Sequence, residues 1–159
     1  MFKSNNYSIS IDNPEYAFGN SFGVVYDNIQ TLDFFGELKG NLSSDISFGL
    51  NGTFSSYSTK NQPEAWNLPA VQFGANLNGQ ITEQWSAGVE LFYVGDRKDM
   101  QVNTSDITNP ITIPTTLDSY FDLNANVKYQ YSDRLSGFVR LNNITNQGYQ
   151  KWLNYPVQS

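Results

Sequence analysis

Residues 117–142 read LDSYFDLNANVKYQY, then SDR, then LSGFVRLN, and their alternation sets how the rest of the chain is read. In the first run Leu117, Phe121, Leu123, Ala125, Val127, Tyr129 and Tyr131 share one parity. Asp118, Tyr120, Asp122, Asn124, Asn126, Lys128 and Gln130 share the other. Side chains in a strand point to opposite faces with period two, so this pattern describes a long strand with one apolar and one polar face. The second run repeats it, with Leu135, Gly137, Val139 and Leu141 against Arg134, Ser136, Arg140 and Asn142. Phe138 is the exception, standing on the polar side. Ser132-Asp133-Arg134 between the runs is turn chemistry, so the two strands form a hairpin.

The same alternation continues outward. A strand is expected over 2–11, where Tyr7, Ile9 and Ile11 alternate with serines until Asp12-Asn13-Pro14 breaks the run. Others are expected over 20–26 (Phe22, Val24 and Tyr26 on one face) and 31–42, where Leu32, Phe34, Leu38 and Leu42 oppose Asp33, Glu37, Lys39 and Asn41. The clearest lies over 45–57, with Ile46, Phe48, Leu50 and Phe54 against Ser47, Asn51, Thr53 and Ser55. Further strands are expected over 71–79 and 85–93. Tight turns fall at Ser43-Ser44, Thr82-Glu83 and Asp133, and long loops at 58–68 and 95–116, the second holding Pro110 and Pro114. No segment has helical periodicity, and no expected strand interior contains Pro. Short turns at one end and long loops at the other describe an all-β, antiparallel up-and-down meander.

Composition narrows the function classes. The chain has 159 residues, 15 acidic and 9 basic, for a formal charge of -6. That balance argues against a nucleic-acid partner, which favours basic patches. Cys and His are both absent, which removes thiolate sites, the Ser-His pair and most zinc sites. Mean hydropathy is negative, and no apolar run approaches the ~20 residues of a spanning helix. A membrane barrel needs only alternate residues apolar, so this mean is compatible with one. Met1-Phe2-Lys3 leads into Ser and Asn, and no signal peptide is visible there.

Two readings of the alternation compete. In a soluble sandwich or barrel the apolar faces lie inside. The strands over 31–42 and 45–57, however, are about twice the five or six residues usual in soluble sheets. The polar face is rich in amides and small residues and poor in the Lys and Glu that coat solvated surfaces. Aromatics gather near strand ends, at Phe54, Tyr57, Trp85, Tyr93, Tyr129 and Tyr131. The inverted reading, with apolar residues toward lipid and polar ones toward a lumen, accounts for all three features.

The segment Tyr120-Phe121-Asp122-Leu123, the hairpin, and then Asn143-Ile144-Thr145-Asn146-Gln147-Gly148-Tyr149 resembles the C-terminal end of TonB-dependent outer-membrane receptors. That family often carries an Asn-Leu-Phe-Asn-Lys-x-Tyr-like segment before its final strand. Asn143, Asn146 and Tyr149 match it, Ile144 stands for Leu, and Thr145 and Gln147 depart from it. Trp66-Asn67-Leu68-Pro69 and the run from Val94 to Asp99 look like loop segments of Bacteroidetes-type receptors. The resemblance implies part of a transmembrane outer-membrane β-barrel in the bacterial cell outer membrane. It also implies TonB-energised uptake of a large nutrient, such as a siderophore or glycan. Residues 1–159 are then expected to form a single barrel segment of about seven or eight strands, truncated at both ends and without a plug domain, where the family's barrel has about 22. The expected partners are outer-membrane lipid, a TonB system reached through N-terminal parts outside this chain, and an unknown nutrient ligand.

No catalytic, cofactor-binding or metal-binding residue is assigned, no cofactor is expected, and substrate-binding residues are unknown. Asp96, Arg97, Lys98 and Asp99 form the densest charge cluster and are expected to be a solvated loop start. Trp66 and Tyr57 are candidates for stacking on a sugar, with interface or loop packing preferred. Asp33, Glu37, Lys39, Glu90, Asp118, Asp122, Lys128 and Arg140 are expected to face a lumen. The alternatives are a complete small barrel acting as a passive pore or structural protein, an enzyme on a barrel, and a soluble β binding module. The soluble reading requires Ile46, Phe48, Leu50, Val71 and Phe73 to lie inside.

Overall fold

A computed structural model of the chain describes residues 2–6, 20–103 and 111–157. Every regular element among them is a strand. The main sheet has six antiparallel strands, β3 (Ile29–Asn41), β4 (Ile46–Thr59), β5 (Val71–Gln80), β6 (Trp85–Val94), β9 (Tyr120–Ser132) and β10 (Leu135–Leu141). Its spatial order, β10-β9-β6-β5-β4-β3, makes β3 and β10 the two edges, and the sheet does not close on itself. β1 (Phe2–Asn6) pairs with β2 (Asn20–Val24), β7 (Arg97–Asn103) with β8 (Ile111–Leu117), and β11 (Gln150–Trp152) with β12 (Tyr155–Pro156), each as a separate two-stranded sheet. Of the strand expected over 2–11, the part carrying Tyr7, Ile9 and Ile11 lies outside the described residues.

The register turns alternation in sequence into rows across the sheet. Leu38, Leu50, Ala75, Leu91 and Leu123 stand opposite one another in one row. Phe48, Leu77, Val89, Ala125 and Leu141 form the next, and Ile46, Gly79, Ala87, Val127 and Val139 the one after. All three lie on one face. Among the described residues no second layer covers this face: Ile46 is 39%, Leu50 38%, Val71 39% and Phe73 40% exposed, and Phe48 is half-buried. These are the five positions that a soluble sandwich must bury. An apolar face this extensive marks a surface that meets something other than water. Aromatics bound it at both ends, with Phe73, Tyr93 and Phe121 in one row toward the loops. Trp85 and Tyr129 are paired at the turns, their ring centroids 4.5 Å apart.

The three tight turns fall at one end and share one chemistry. A hydroxyl oxygen accepts from a nearby backbone N–H in each: Ser43 from Asp45, Thr82 from Gln84 and Trp85, Ser132 from Arg134. Such side chains mimic a backbone turn and stabilise a short reversal.

The opposite end departs from expectation. The stretch 95–116, expected to be a loop, contains β7 and most of β8. Leu117, expected to open the long strand of the hairpin, ends β8 instead, and that long strand starts at Tyr120. Pro114 sits inside β8, paired with Met100, against the expectation that no strand interior holds Pro. A two-stranded sheet consists of edges alone, so the N–H that Pro lacks is no loss on the unpaired side. The residues buried at this end are Trp66, Met100 and Leu117, together with Arg97 and Asp99. The packed core among the described residues therefore lies at the loop end, in β7, β8 and the 58–68 loop, and not between layers of the main sheet.

Candidate functional site

The polar face of the sheet carries the expected lumen residues in register. Glu37 stands opposite Asn51, Lys39 opposite Gly49, Glu90 between Asn76 and Asn124, and Arg140 opposite Asn126. Asp33 pairs with Ser55, Asp122 with Phe92, and Lys128 with Ser86 and Phe138. Lys39 and Glu37 form an ion pair of 2.8 Å along β3. The amides fill slots that glycines leave open on neighbouring strands. A Cβ at Gly88 would lie 2.5 Å from Oδ1 of Asn78 and 2.8 Å from Nδ2 of Asn126. At Gly74 it would lie 2.8 Å from Oδ1 of Asn51. A Cβ at either glycine would displace these amides from the slots they occupy. Asp118 does not join this face. It lies in the connection between β8 and β9 and lines a cleft at the loop end.

At that end β7 gathers two distant segments. Trp66 makes a parallel bridge with Lys98, and the Asn67 N–H donates to the Lys98 carbonyl at 2.7 Å. Trp66 is fully buried and its indole Nε1 donates to Gln62 at 3.0 Å, so its ring is loop packing with no face left for a sugar. The Tyr57 hydroxyl donates to the Pro69 carbonyl at 3.1 Å. The charge cluster is corrected most sharply. Arg97 and Asp99, expected on a solvated loop, are 6% and 0% exposed. Each is held by backbone from about fifty residues downstream: Arg97 Nη2 donates to the Gln150 carbonyl at 2.8 Å, and the Leu153 N–H donates to Asp99 Oδ2 at 2.9 Å. A buried charge is tolerated when hydrogen bonds replace water in this way.

The Asn143 to Tyr149 segment has a structural explanation. β10 stops opposite Ala125, and this segment takes over the free edge of β9. The Ile144 N–H donates to the Leu123 carbonyl at 2.9 Å, and the Phe121 N–H donates to Gln147 Oε1 at 3.0 Å. Asn143 and Asn146 have φ of 47° and 49°, the left-handed region that asparagine enters more readily than most residues. Asn143 Oδ1 also accepts from the Gln147 N–H at 3.3 Å, fastening the loop to itself.

Tyr149 then stacks on Tyr120, with centroids 3.8 Å apart and planes 2° from parallel. The Arg97 guanidinium lies 5.0 Å from the centre of the Tyr120 ring, a cation–π distance. The Tyr149 hydroxyl reaches Asp122 Oδ2 at 3.4 Å. Burial first, then the negative charge of Asp122, hold the Tyr149 phenol above its ordinary pKa, and Arg97 opposes them. Beside Tyr149 a cleft of about 290 Å³ is lined by Thr116, Leu117, Asp118, Ser119, Gln150 and Leu153, among others. Among the described residues no group of three or more His, Cys, Asp or Glu side chains converges as a metal site requires.

A second anchor holds the 58–68 loop. Asp27 accepts from the backbone N–H groups of Asn28, Asn61 and Gln62 and from the Asn61 amide, at 2.8–3.1 Å. Partial desolvation pushes its carboxyl pKa up, but these hydrogen bonds outweigh it and hold the pKa below the ordinary value. The Tyr120–Tyr149 stack, the buried Arg97 and Asp99, and Asp27 carry no sequence signature of their roles. A faint signal existed only for β8, in its run of Ile and Thr.

No protein-family model matches the sequence. No curated protein matches it either. Solved structures do share its fold. The ferripyoverdine receptor of the outer membrane of Pseudomonas aeruginosa, bound to ferripyoverdine, matches with a TM-score of 0.68 and 16% identity over 90% of this chain. P. aeruginosa FpvA bound to heterologous pyoverdines matches with a TM-score of 0.65 and 17% identity over 87%. The PAO1 pyoverdine receptor matches with 0.66 and 15% over 96%. The chain spans only 18–22% of the length of these receptors. At such identity the likeness is one of fold: an antiparallel meander built like an arc of an outer-membrane receptor barrel.

Proposed function

We propose that this chain is a barrel segment of an outer-membrane receptor that takes up a large nutrient, a ferric siderophore, a glycan or a molecule of similar size, with energy delivered through TonB. One observation carries the reading. The open sheet presents continuous apolar rows on one face and an amide-rich polar face on the other, and a lipid-embedded barrel wall requires both. The fold shared with ferripyoverdine receptors supports it. The unpaired edges at β3 and β10 favour an arc of a larger barrel over a complete small pore, since an unclosed sheet leaves backbone groups unsatisfied in lipid. In this reading the protein transports and does not catalyse. Residues 1–159 act as one wall segment, its partners are outer-membrane lipid, the TonB system and the nutrient, and the location is the bacterial outer membrane.

Residues 1–159 contain no cysteine, so a single cysteine placed among them, in a full-length protein whose other cysteines are replaced by serine, reports its own position. Leu50→Cys and Leu91→Cys, in intact outer membranes, are expected to resist a water-soluble maleimide and to react with a lipid-soluble one. Asn51→Cys and Glu90→Cys are expected to behave in the opposite way. Equal reaction of Leu50→Cys and Asn51→Cys with the water-soluble reagent would sink the proposal. Uptake is tested by deleting the gene and following growth on ferric siderophores and on oligosaccharides, with and without the inner-membrane proton gradient.

A further inference from the structure

The segment after β10 leaves the path that a meander strand would follow. It does not return along β10. Residues 143–147 pair along the start of β9. From Tyr149 onward the segment is held by the Tyr149 ring on Tyr120 and the Tyr149 hydroxyl on Asp122, both of β9, and by Arg97 on the Gln150 carbonyl and Asp99 on the Leu153 N–H, both of β7. These two β7 contacts grip backbone atoms of the segment, one an acceptor and one a donor. The closed arrangement is not fully satisfied. Nε of Arg97 and Oδ1 of Asp122 are buried without a hydrogen-bond partner. Buried polar atoms left unpaired raise the free energy of the state that buries them. The closed position therefore carries a cost that opening would relieve.

We infer that residues 148–157 form a strap, latched onto β7 by Arg97 and Asp99 and onto β9 by the Tyr120–Tyr149 stack, that can swing away as a unit while residues 143–147 and the main sheet stay in place. Opening hands Asp122, on the polar face, and Arg97, at the loop end, a carboxylate and a guanidinium with unused hydrogen-bonding capacity, to whatever occupies that side. It also uncovers Leu117, which lines the cleft beside Tyr149 and is 4% exposed when the strap is closed. The strap itself rests on contacts within the fold. Only its consequence for a passing nutrient rests on the transport reading.

The test places a cysteine reporter beneath the strap in the full-length protein. Leu117→Cys is expected to react slowly with a water-soluble maleimide. Combined with Tyr149→Ala or Arg97→Met it is expected to react at least tenfold faster, whereas Tyr149→Phe, which keeps the ring stack, stays within about threefold of the parent rate. A second reporter, Asn51→Cys in the main sheet, keeps its rate in every background. An unchanged Leu117→Cys rate after Tyr149→Ala and Arg97→Met overturns the strap. So does an equal rise at Leu117→Cys and Asn51→Cys, which would mean that loops and sheet loosen together. The transport reading fails separately, through the Leu50 and Asn51 labelling pattern.

Discussion

Asp27 shows how one exposed-loop carboxylate can order a long connection. It accepts from the N–H of its neighbour Asn28 and, across a gap of more than thirty residues, from two backbone N–H groups and one amide, tying the start of β3 to the loop after β4. A carboxylate whose folded pKa is lowered contributes stability above its unfolded value, and that contribution is lost as the pH falls through the folded value. Because the shift is downward, loop anchoring is expected to be complete at neutral pH and to fail only in acid, below the ordinary Asp range of about 4. Hydrogen exchange at the Asn61 and Gln62 amides, corrected for intrinsic rates, measures this. Protection should collapse on acidification, and Asp27→Asn should weaken it at every pH and remove the acid dependence. Asn143 and Asn146 work at the same scale by tolerating left-handed backbone that a β-branched residue resists. These two matches to the receptor-like segment thus have a conformational reason.

Among the elements, the main strands are defined by parity, and parity was legible in the sequence. Each of the strands expected over 31–42, 45–57, 71–79, 85–93 and 135–142 is present within two residues at either end. In β6 the central apolar position is Val89, in the middle row of the apolar face. In the proposed bilayer setting Val89→Arg is expected to cost ~2–4 kcal/mol, while Leu135→Arg beside the tight turn costs about 0–1 kcal/mol. Folding yields and denaturant midpoints in lipid vesicles compare the two, and equal costs would contradict a lipid-facing middle row. β7 and β8 were missed because their pattern is masked. Charged residues crowd β7 and Pro114 interrupts β8, two features that normally argue against strands. Arg97 and Asp99 read as solvated because only the Met100 N–H, which donates to Asp99 Oδ1, is a neighbour in sequence; their backbone partners at Gln150 and Leu153 arrive only when the chain folds back.

On the scale of the whole molecule, packing is inverted relative to a soluble domain. The main sheet leaves its apolar rows half-buried or exposed, while the buried side chains Trp66, Met100 and Leu117 gather at one end, in the 58–68 loop, β7 and β8. From Phe121 to Tyr131, β9 climbs about 34 Å at ~3.4 Å per residue, or about 26 Å at the ~40° tilt usual in such barrels, against an apolar band of ~25 Å. In the proposed membrane setting the strands of 13 and 14 residues at β3 and β4 cover that band with length to spare. The bare edges at β3 and β10 have their own consequence. The isolated chain in detergent is expected to associate through them. Size-exclusion chromatography with light scattering measures this, and a stable, well-folded monomer would count against an arc of a larger barrel.

By itself the sequence determined the fold class, the faces of the main strands and the end at which the tight turns lie. Those properties are local: side-chain parity and turn residues act over a few positions, so a strand's two faces are written in its own residues. The tertiary structure alone decided the register that aligns Leu38, Leu50, Ala75, Leu91 and Leu123 into one row. It alone decided the pairing of β7 with β8 and the burial of Arg97 and Asp99, and it alone brought Tyr149 onto Tyr120. These depend on groups separated by tens of residues, and their energies exist only once chain closure has brought the partners together.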